Sequence, residues 1–291
     1  MPADTVSDDP VPLLKALIRC PSVTPAEAGA LDAVEQALRP LGFAITRMRF
    51  EGDGSYPVDN LFATRGSGGR HLLFAGHTDV VPPGDAALWT HDPFAADEAD
   101  GLIYGRGAAD MKSGVAAFIA ATAAAVADGS AERGTISLAI TNDEEADSIN
   151  GTDKLMAWAA ERGHRFDFAI VGEPSAKERV GDSIKIGRRG SLNGRITVTG
   201  VQGHAAYPER ANNPLPVLAA AVAELSALTL DKGNAPFPPS NLEFTSIDVG
   251  NRAANVIPAS GIAAFNIRFN DLWTGETLEQ RLRDALAGID S

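Results

Sequence analysis

The stretch His71–Val81, HLLFAGHTDVV, is an apolar run, His71–Gly76, closed by His77 and Asp79. A short continuous apolar run of this kind reads as a strand buried on both faces. Three further acidic points fall where other hydrophobic runs end: Asp110 in GRGAADMKSG, the pair Glu144–Glu145 in TNDEEAD, and Glu173 in VGEPS. Strand ends of an open α/β sheet are where ligands and metals bind. One imidazole and several carboxylates converging there form the mixed nitrogen and oxygen donor set of a hydrolytic metal site, suited to Zn²⁺. The five histidines are His71, His77, His91, His164 and His204. None follows His204, so a second imidazole for a two-metal site is not evident.

Outward from that stretch, helical and strand patterns alternate. Leu13–Ile18 and Ala28–Leu38 read as helices, the second ended by Pro40 and Gly42. Phe43–Phe50, Thr135–Thr141 and Phe166–Val171 read as strands. Met111–Ala127 reads as a helix apolar nearly all round and stopped by Asp128–Gly129. Apolar strands separated by buried helices predict an α/β catalytic domain over residues 1–181, a mostly parallel sheet sandwiched by helices. From about Gly181 the texture changes. Ser183–Ile186, Gly194–Thr199, Asn241–Val249 and Gly261–Phe269 alternate with period two. Helices are expected at Leu215–Leu228, after Asn213–Pro214, and at Thr277–Ala287. That pattern predicts a smaller α+β dimerisation domain with an antiparallel sheet over residues 182–291.

A length of 291 residues with 44% hydrophobic content can bury a substantial core in one large or two ordinary domains. The formal charge of −13 argues against a nucleic-acid backbone or an anionic membrane as partner. Cys20 is the single cysteine, which excludes an intrachain disulfide framework and suits a reducing, cytoplasmic setting. The N-terminus, MPADTVSDDP, is acidic and lacks the basic-then-apolar layout of a signal peptide. The longest uncharged run, Gly114–Ala127, falls short of the roughly 20 residues a bilayer needs.

His77 and Asp79, two apart, face the same way on an extended backbone. Asp79 can then accept from one ring nitrogen while the other faces a metal; a purely structural pair is the alternative. Asp110 follows the turn Gly105–Arg106–Gly107 and precedes a helix, where an aspartate is most often a cap. The same segment fails as a phosphate loop, since Met111 stands before Lys112 and Arg106 occupies an earlier glycine position. Glu144 and Glu145 diverge as neighbours, so one can bind a metal while the other serves as general base. Their alternative is a solvated acidic loop from Asp143 to Asp147. Glu173 ends FDFAIVG ahead of Pro174. The joint pattern informs more than any member, because successive strand-like segments each deliver a carboxylate or an imidazole.

These residues resemble the dinuclear-zinc peptidase family that includes aminoacylases, acetylornithine deacetylases and succinyl-diaminopimelate desuccinylases, the last branch most closely. The resemblance rests on LIRCPSVTP, GHTDVVPPGD, YGRGAADMKSG, TNDEEA, VGEPS, GRRGSLNG, GVQGHAAYP and ANVIPA, spread from residue 17 to about 258. It implies hydrolysis of N-succinyl-LL-2,6-diaminopimelate, a small-molecule N-succinylated amino acid, to succinate and LL-2,6-diaminopimelate on the way to lysine. Another N-acyl-amino-acid hydrolase, such as an acetylornithine deacetylase, is the alternative. It also implies two Zn²⁺ per subunit, with Co²⁺ fitting the same donors: His77 and Glu173 on one ion, Asp110 bridging, Glu145 on the second. Asp79 would orient His77, and Glu144 would carry the proton of the attacking water to the leaving amine. His204 would reach the partner subunit's active site in a homodimer and help hold the oxyanion. Arg188, Ser191, Asn255 and Arg268 match positions that contact the substrate's carboxylates, and guanidinium forks suit that task. Family members continue past the small domain and return to the catalytic domain, where they supply the last zinc-binding histidine. With its last residue at Ser291, the chain is expected to be truncated, leaving Asp110 and Glu145 alone on the second zinc. The rival from another class is an inactive dimerising fragment.

Overall fold

The computed structural model describes residues 7–289; the opening residues of the N-terminal stretch weighed above as a leader lie outside the described residues. The chain falls into two units, one up to Val180 and one from Gly181.

The first unit begins with α1 (Val11–Ile18) and α2 (Ala30–Leu38). The second helix starts two residues later than expected, because Ala28 and Gly29 both hold positive φ, 48° and 88°. β1 (Ala44–Gly52) and β2 (Ser55–Arg65) form a hairpin. Its loop, Asp53–Gly54, has φ of 55° and 77°, the left-handed pair that a two-residue hairpin turn requires. β2 is absent from the strands expected above. Its polar residues read as loop, yet Asn60 is fully buried and donates from Nδ2 to the carbonyl oxygens of Val58 and Asn150.

Next come β3 (Arg70–His77), a small hairpin of β4 (Asp97–Ala99) and β5 (Leu102–Tyr104), and α3 (Ser113–Ala127). β6 (Gly134–Thr141), α4 (Thr152–Glu161) and β7 (Phe168–Val171) complete the unit. α3 follows one wide turn in which Lys112 N–H donates to Gly107 O, five residues back, at 3.1 Å. By length and composition Ala108–Ala127 could cross a membrane, but Val115, Ile119 and Ala123 are buried in the core.

The sheet order is β1-β2-β6-β3-β7. β6–β3 and β3–β7 pair parallel, β1–β2 and β2–β6 antiparallel, so β2 alone opposes the other strands. The α/β architecture is the expected one. Alternate side chains feed two layers. Leu61, Ala63, Phe74, Leu138 and Ile140 pack with Leu17, Val34, Leu38, Val115 and Ile119 from α1, α2 and α3. Their neighbours Phe62, Leu73 and Ala139 point the other way, onto Leu155 and Ala159 of α4. Each large aliphatic side chain so buried contributes about 1.5–3 kcal/mol. His77 pairs with Thr141 and Ala75 with Val171, so the three parallel strands end together. That edge carries the site.

The second unit contains β8 (Gly190–Thr199), β9 (Gly203–His204), α5 (Pro214–Ser226), β10 (Asn241–Asp248), β11 (Val256–Ile257), β12 (Ser260–Phe269) and α6 (Gly275–Leu286). β10, β12 and β8 form an antiparallel sheet in that order, and β9 pairs with β11. Leu225, Phe265, Ile267, Leu278 and Leu282 make the core. Both helices are capped by side chains: Asn213 Oδ1 accepts from Leu215 N, and Thr274 and Thr277 form a reciprocal capping box on α6. Ser183–Ile186, expected as a strand, is not one. Ile184 and Ile186 are 79% and 92% exposed, so their alternation meets nothing to pack against.

Candidate metal centre

His77 is the last residue of β3 and is buried. Its Nδ1 lies 2.9 Å from the backbone oxygen of Asp79 and 3.4 Å from that residue's Oδ1. Asp79 is thus the neighbour of this nitrogen, with its backbone carbonyl rather than the expected carboxylate as the main acceptor. With Nδ1–H donating there, Nε2 is the nitrogen left to face a cation, either a proton or a metal ion.

The Asp79 carboxylate, itself buried, has further partners. It accepts from Thr24 Oγ1 at 2.7 Å and from the backbone N–H groups of Glu144, at 3.2 Å, and Glu145, at 3.1 Å. One side chain thus braces both the histidine and the acidic pair.

Around His77 Nε2 stand Asp110 Oδ1 at 3.3 Å, Glu173 Oε1 at 3.5 Å and Glu144 Oε2 at 3.8 Å. The donor atoms of His77, Asp110 and Glu173 lie within 4.8 Å of one another. Nε2 is buried and finds no hydrogen-bond partner among the described residues. A buried ring nitrogen without a hydrogen bond and facing several carboxylates is satisfied by a cation, a proton or a metal ion in its place, so these residues fit a metal. The trio is the one expected on a first zinc. Glu145 stands outside it, although its backbone shares the Asp79 brace.

The electrostatics agree. Burial disfavours a charged His77 ring, but Asp79 and Glu173 outweigh it and push the ring up to about 11. Burial and then Glu173 raise the Asp110 carboxyl, with His77 opposing. Glu144 and Glu145 are raised first by burial, opposed by His77, and raised further by neighbouring carboxylates. Acids that resist ionisation beside an imidazole that resists losing a proton mark a pocket short of positive charge.

Local sequence explains how the donors meet. Asp110 does not cap α3, which has no side-chain cap and starts at Ser113. It sits in the wide turn ahead of the helix, followed by a cis peptide to Met111. Lys112 is fully buried and donates to the oxygens of Leu17, at 2.8 Å, and Cys20, at 3.0 Å, satisfying carbonyls at the end of α1. Burial drops its ammonium to about 8. Glycine is required where Glu173's strand meets α3: a Cβ on Gly114 would stand 2.2 Å from Gly172 O, and one on Gly172 would strike Met111 and Phe74. The acidic loop is not simply solvated, since Asp143 is buried and bonded to Tyr56. Thr24 and Tyr56 go unnoticed in the sequence, Lys112 figures there only as part of a phosphate loop, and Asp143 only as the start of a solvated acidic loop. The Asp53–Gly54 turn signal would have exposed the hairpin that carries Tyr56.

Within the second unit, the residues expected to bind substrate fall into two groups. Register places Arg268 opposite Ser191 on an exposed sheet face, and Asn266 Nδ2 donates to Ser191 Oγ at 3.0 Å. Arg188 lies just before β8. His204 pairs with Val256, and Ala205 N donates to Asn255 O at 2.9 Å, which makes His204 and Asn255 neighbours. His204 Nδ1 accepts from Ala206 N at 3.0 Å, so its proton sits on Nε2.

The profile of Peptidase family M20/M25/M40 matches residues 73–263. A protein named succinyl-diaminopimelate desuccinylase from Rhodopseudomonas palustris (strain TIE-1) is 58% identical over 272 residues, 93% of this chain and 70% of that protein. A protein of the same name from Rhodospirillum centenum is 56% identical over 284 residues, 98% of this chain and 74% of its own. Among solved structures, an M20 family metallo-carboxypeptidase from Sulfolobus solfataricus matches with a TM-score of 0.77 at 16% identity, over 97% of this chain and 76% of its own. A dinuclear metal binding peptidase of the M20 family from Bacillus subtilis matches at 0.62 and 14%, over 96% and 69%. At those identities the structural likeness is one of fold.

Proposed function

The chain belongs to peptidase family M20/M25/M40, a metal-dependent family, and we propose on that premise that it hydrolyses the amide of N-succinyl-LL-2,6-diaminopimelate. The observation that carries the site is the buried, unpartnered His77 Nε2 facing carboxylates from three separate segments. His77, Asp110 and Glu173 would hold one zinc ion, and Asp110 with Glu145 a second; cobalt suits the same donors. When bound, such cations polarise the amide carbonyl and acidify water.

Glu144 is the proton carrier in this reading. A carboxyl raised by burial can take a proton from the attacking water and release it again. The water oxygen joins the succinyl carbonyl carbon, the C–N bond breaks, and Glu144 delivers the proton to the departing amine. Asp79 fixes both the His77 ring and the Glu144 peptide while this happens. His204, protonated on Nε2, would supply a donor to the developing oxyanion in the partner subunit's active site. Arg188, Arg268, Ser191 and Asn255 bind the substrate's carboxylates, the arginines through paired N–H donors. A cytoplasmic homodimer completes the proposal.

Competing substrates test it on zinc- or cobalt-loaded protein. A kcat/KM preference for N-succinyl-LL-2,6-diaminopimelate over N-acetylornithine, on the order of 10²-fold or more, is expected from paired recognition of the substrate's carboxylates by Arg188 and Arg268. The opposite preference would move the chain to the deacetylase branch. No turnover of either substrate by metal-loaded protein overturns the reading.

A further inference from the structure

Glu144 and Glu145 sit at the head of a turn that leaves β6 and returns to α4 at Thr152. A turn of acidic residues has no reason of its own to hold one shape. The side chain of Asp143 supplies one. Its Oδ1 accepts from Tyr56 Oη at 2.7 Å and Ser148 N at 3.1 Å; its Oδ2 accepts from Ile149 N and Asn150 N, both at 2.9 Å. The first residue of the turn is thereby tied to the last three.

Tyr56 closes the ring from outside. While donating to Asp143, its hydroxyl accepts from Asp147 N at 3.1 Å. Its backbone oxygen takes Asn150 Nδ2 at 2.7 Å. Burial pushes the phenol up to about 12, so it remains a donor at any working pH. The opposite side of the turn is held by Asp79 through the N–H groups of Glu144 and Glu145. Two buried carboxylates therefore grip the same acidic segment from its two sides, and one of them depends on a hydroxyl from the β1–β2 hairpin.

We propose that Tyr56 and Asp143 are positioning residues for Glu144, setting its carboxylate toward His77 through the shape of the 143–150 turn. The proposal rests on the hydrolase reading for its kinetic consequence, but not for its structural one. Tyr56→Phe removes the one hydroxyl and keeps the ring. Ser55→Ala is its control: Ser55 Oγ donates to Asp147 Oδ2 at 2.7 Å, on the same hairpin and turn, without touching Asp143.

Rates are taken per bound zinc, so that unfolded molecules do not count. For Tyr56→Phe, kcat should fall about tenfold with KM within about twofold, as when a proton-transfer group is misplaced by a fraction of an ångström. Ser55→Ala should leave both constants within about twofold of the parent. Equal kcat in parent and Tyr56→Phe, or an equal loss in both variants, overturns the proposal. Amide exchange provides a readout that needs no turnover. Residues 143–150 should exchange faster in Tyr56→Phe while residues 70–77 keep the parent rate. If the parent proves inactive on the succinylated substrate, the functional reading falls and exchange alone decides: unchanged protection of 143–150 refutes the positioning role, selective loss supports it.

Discussion

The two units put their chemistry in opposite kinds of place. In the first, donors stand where the parallel strands stop: His77 ends β3, Glu144 follows β6 and Glu173 follows the exposed edge strand β7. In the second, Ser191 and Arg268 face each other one pair from the end of the β8–β12 ladder, on an exposed sheet face. A strand-end donor is backed by a desolvated frame and its field is strong. A side chain on an open sheet face is screened by water, and its worth lies in shape and bidentate geometry. The contrast predicts large, metal-linked effects in the first unit and graded, substrate-linked effects in the second.

His77→Ala attacks that contrast hardest. It removes the only imidazole in the cluster and leaves carboxylates facing one another without it. Tightly held zinc at this site should vanish on dialysis, and any hydrolysis should fall by roughly 10³-fold or more, the scale of removing Lewis-acid catalysis. Retention of both metal and activity, by elemental analysis and assay, would mean that the strand ends are not the site. Asp79→Asn comes next. An amide there still offers an oxygen but has lost the charge that accepts from Thr24, Glu144 and Glu145 together. Zinc affinity should weaken by about 10- to 100-fold, as for other residues behind a ligand histidine. Competition with a chelator measures it.

Sequence legibility follows the same divide. An apolar run makes a polar residue at its end stand out, and HLLFAGH and FDFAIVGE both show this, although β7, read as apolar on both faces, is an exposed edge strand. β2 did not, because its buried Asn60 and half-buried Asp59 break the apolar pattern, and the partners of Asn60, Val58 on the same strand and Asn150 in the turn before α4, are visible only in the structure. Asp143 was hidden for a related reason: an acid among acids gives no hint that it alone turns inward. On the second unit's open face, Ser191, Asn193 and Arg195 alternate with Leu192 and Ile196 as any solvated strand would. Only the resemblance singled out Ser191 and Arg268. Ser183–Ile186 shows the converse failure, an alternation with nothing to cover it.

Arg268→Lys sharpens the comparison from the second unit. It keeps the charge and removes the fork, so KM for the succinylated substrate should rise about tenfold with little loss of kcat or bound zinc. Loss of zinc instead would show that the two kinds of place are not energetically separate.

The smallest effect concerns stability. Asp231 accepts from Gly233 N, Ser240 N, Asn270 Nδ2 and Trp273 Nε1, stapling the loop before β10 to the turn before α6. Burial alone would raise its carboxyl, but these donors outweigh it and hold the group well below the ordinary range. The folded state thus binds the proton more weakly than the unfolded chain does. The stabilisation is complete above the ordinary carboxylate value near 4 and is lost as pH falls through the lower folded value. Asp231→Asn lacks this linkage. The melting temperature of the parent should exceed that of the variant near neutrality by a few degrees, about what a charged hydrogen-bond acceptor contributes. The gap should close as pH drops below about 4. Unlike the acids around His77, whose carboxyls are raised by burial and by one another, this one is lowered by donors it already has. A gap that widened in acid would reverse that assignment and remove Asp231 as the second unit's counterpart to Asp79.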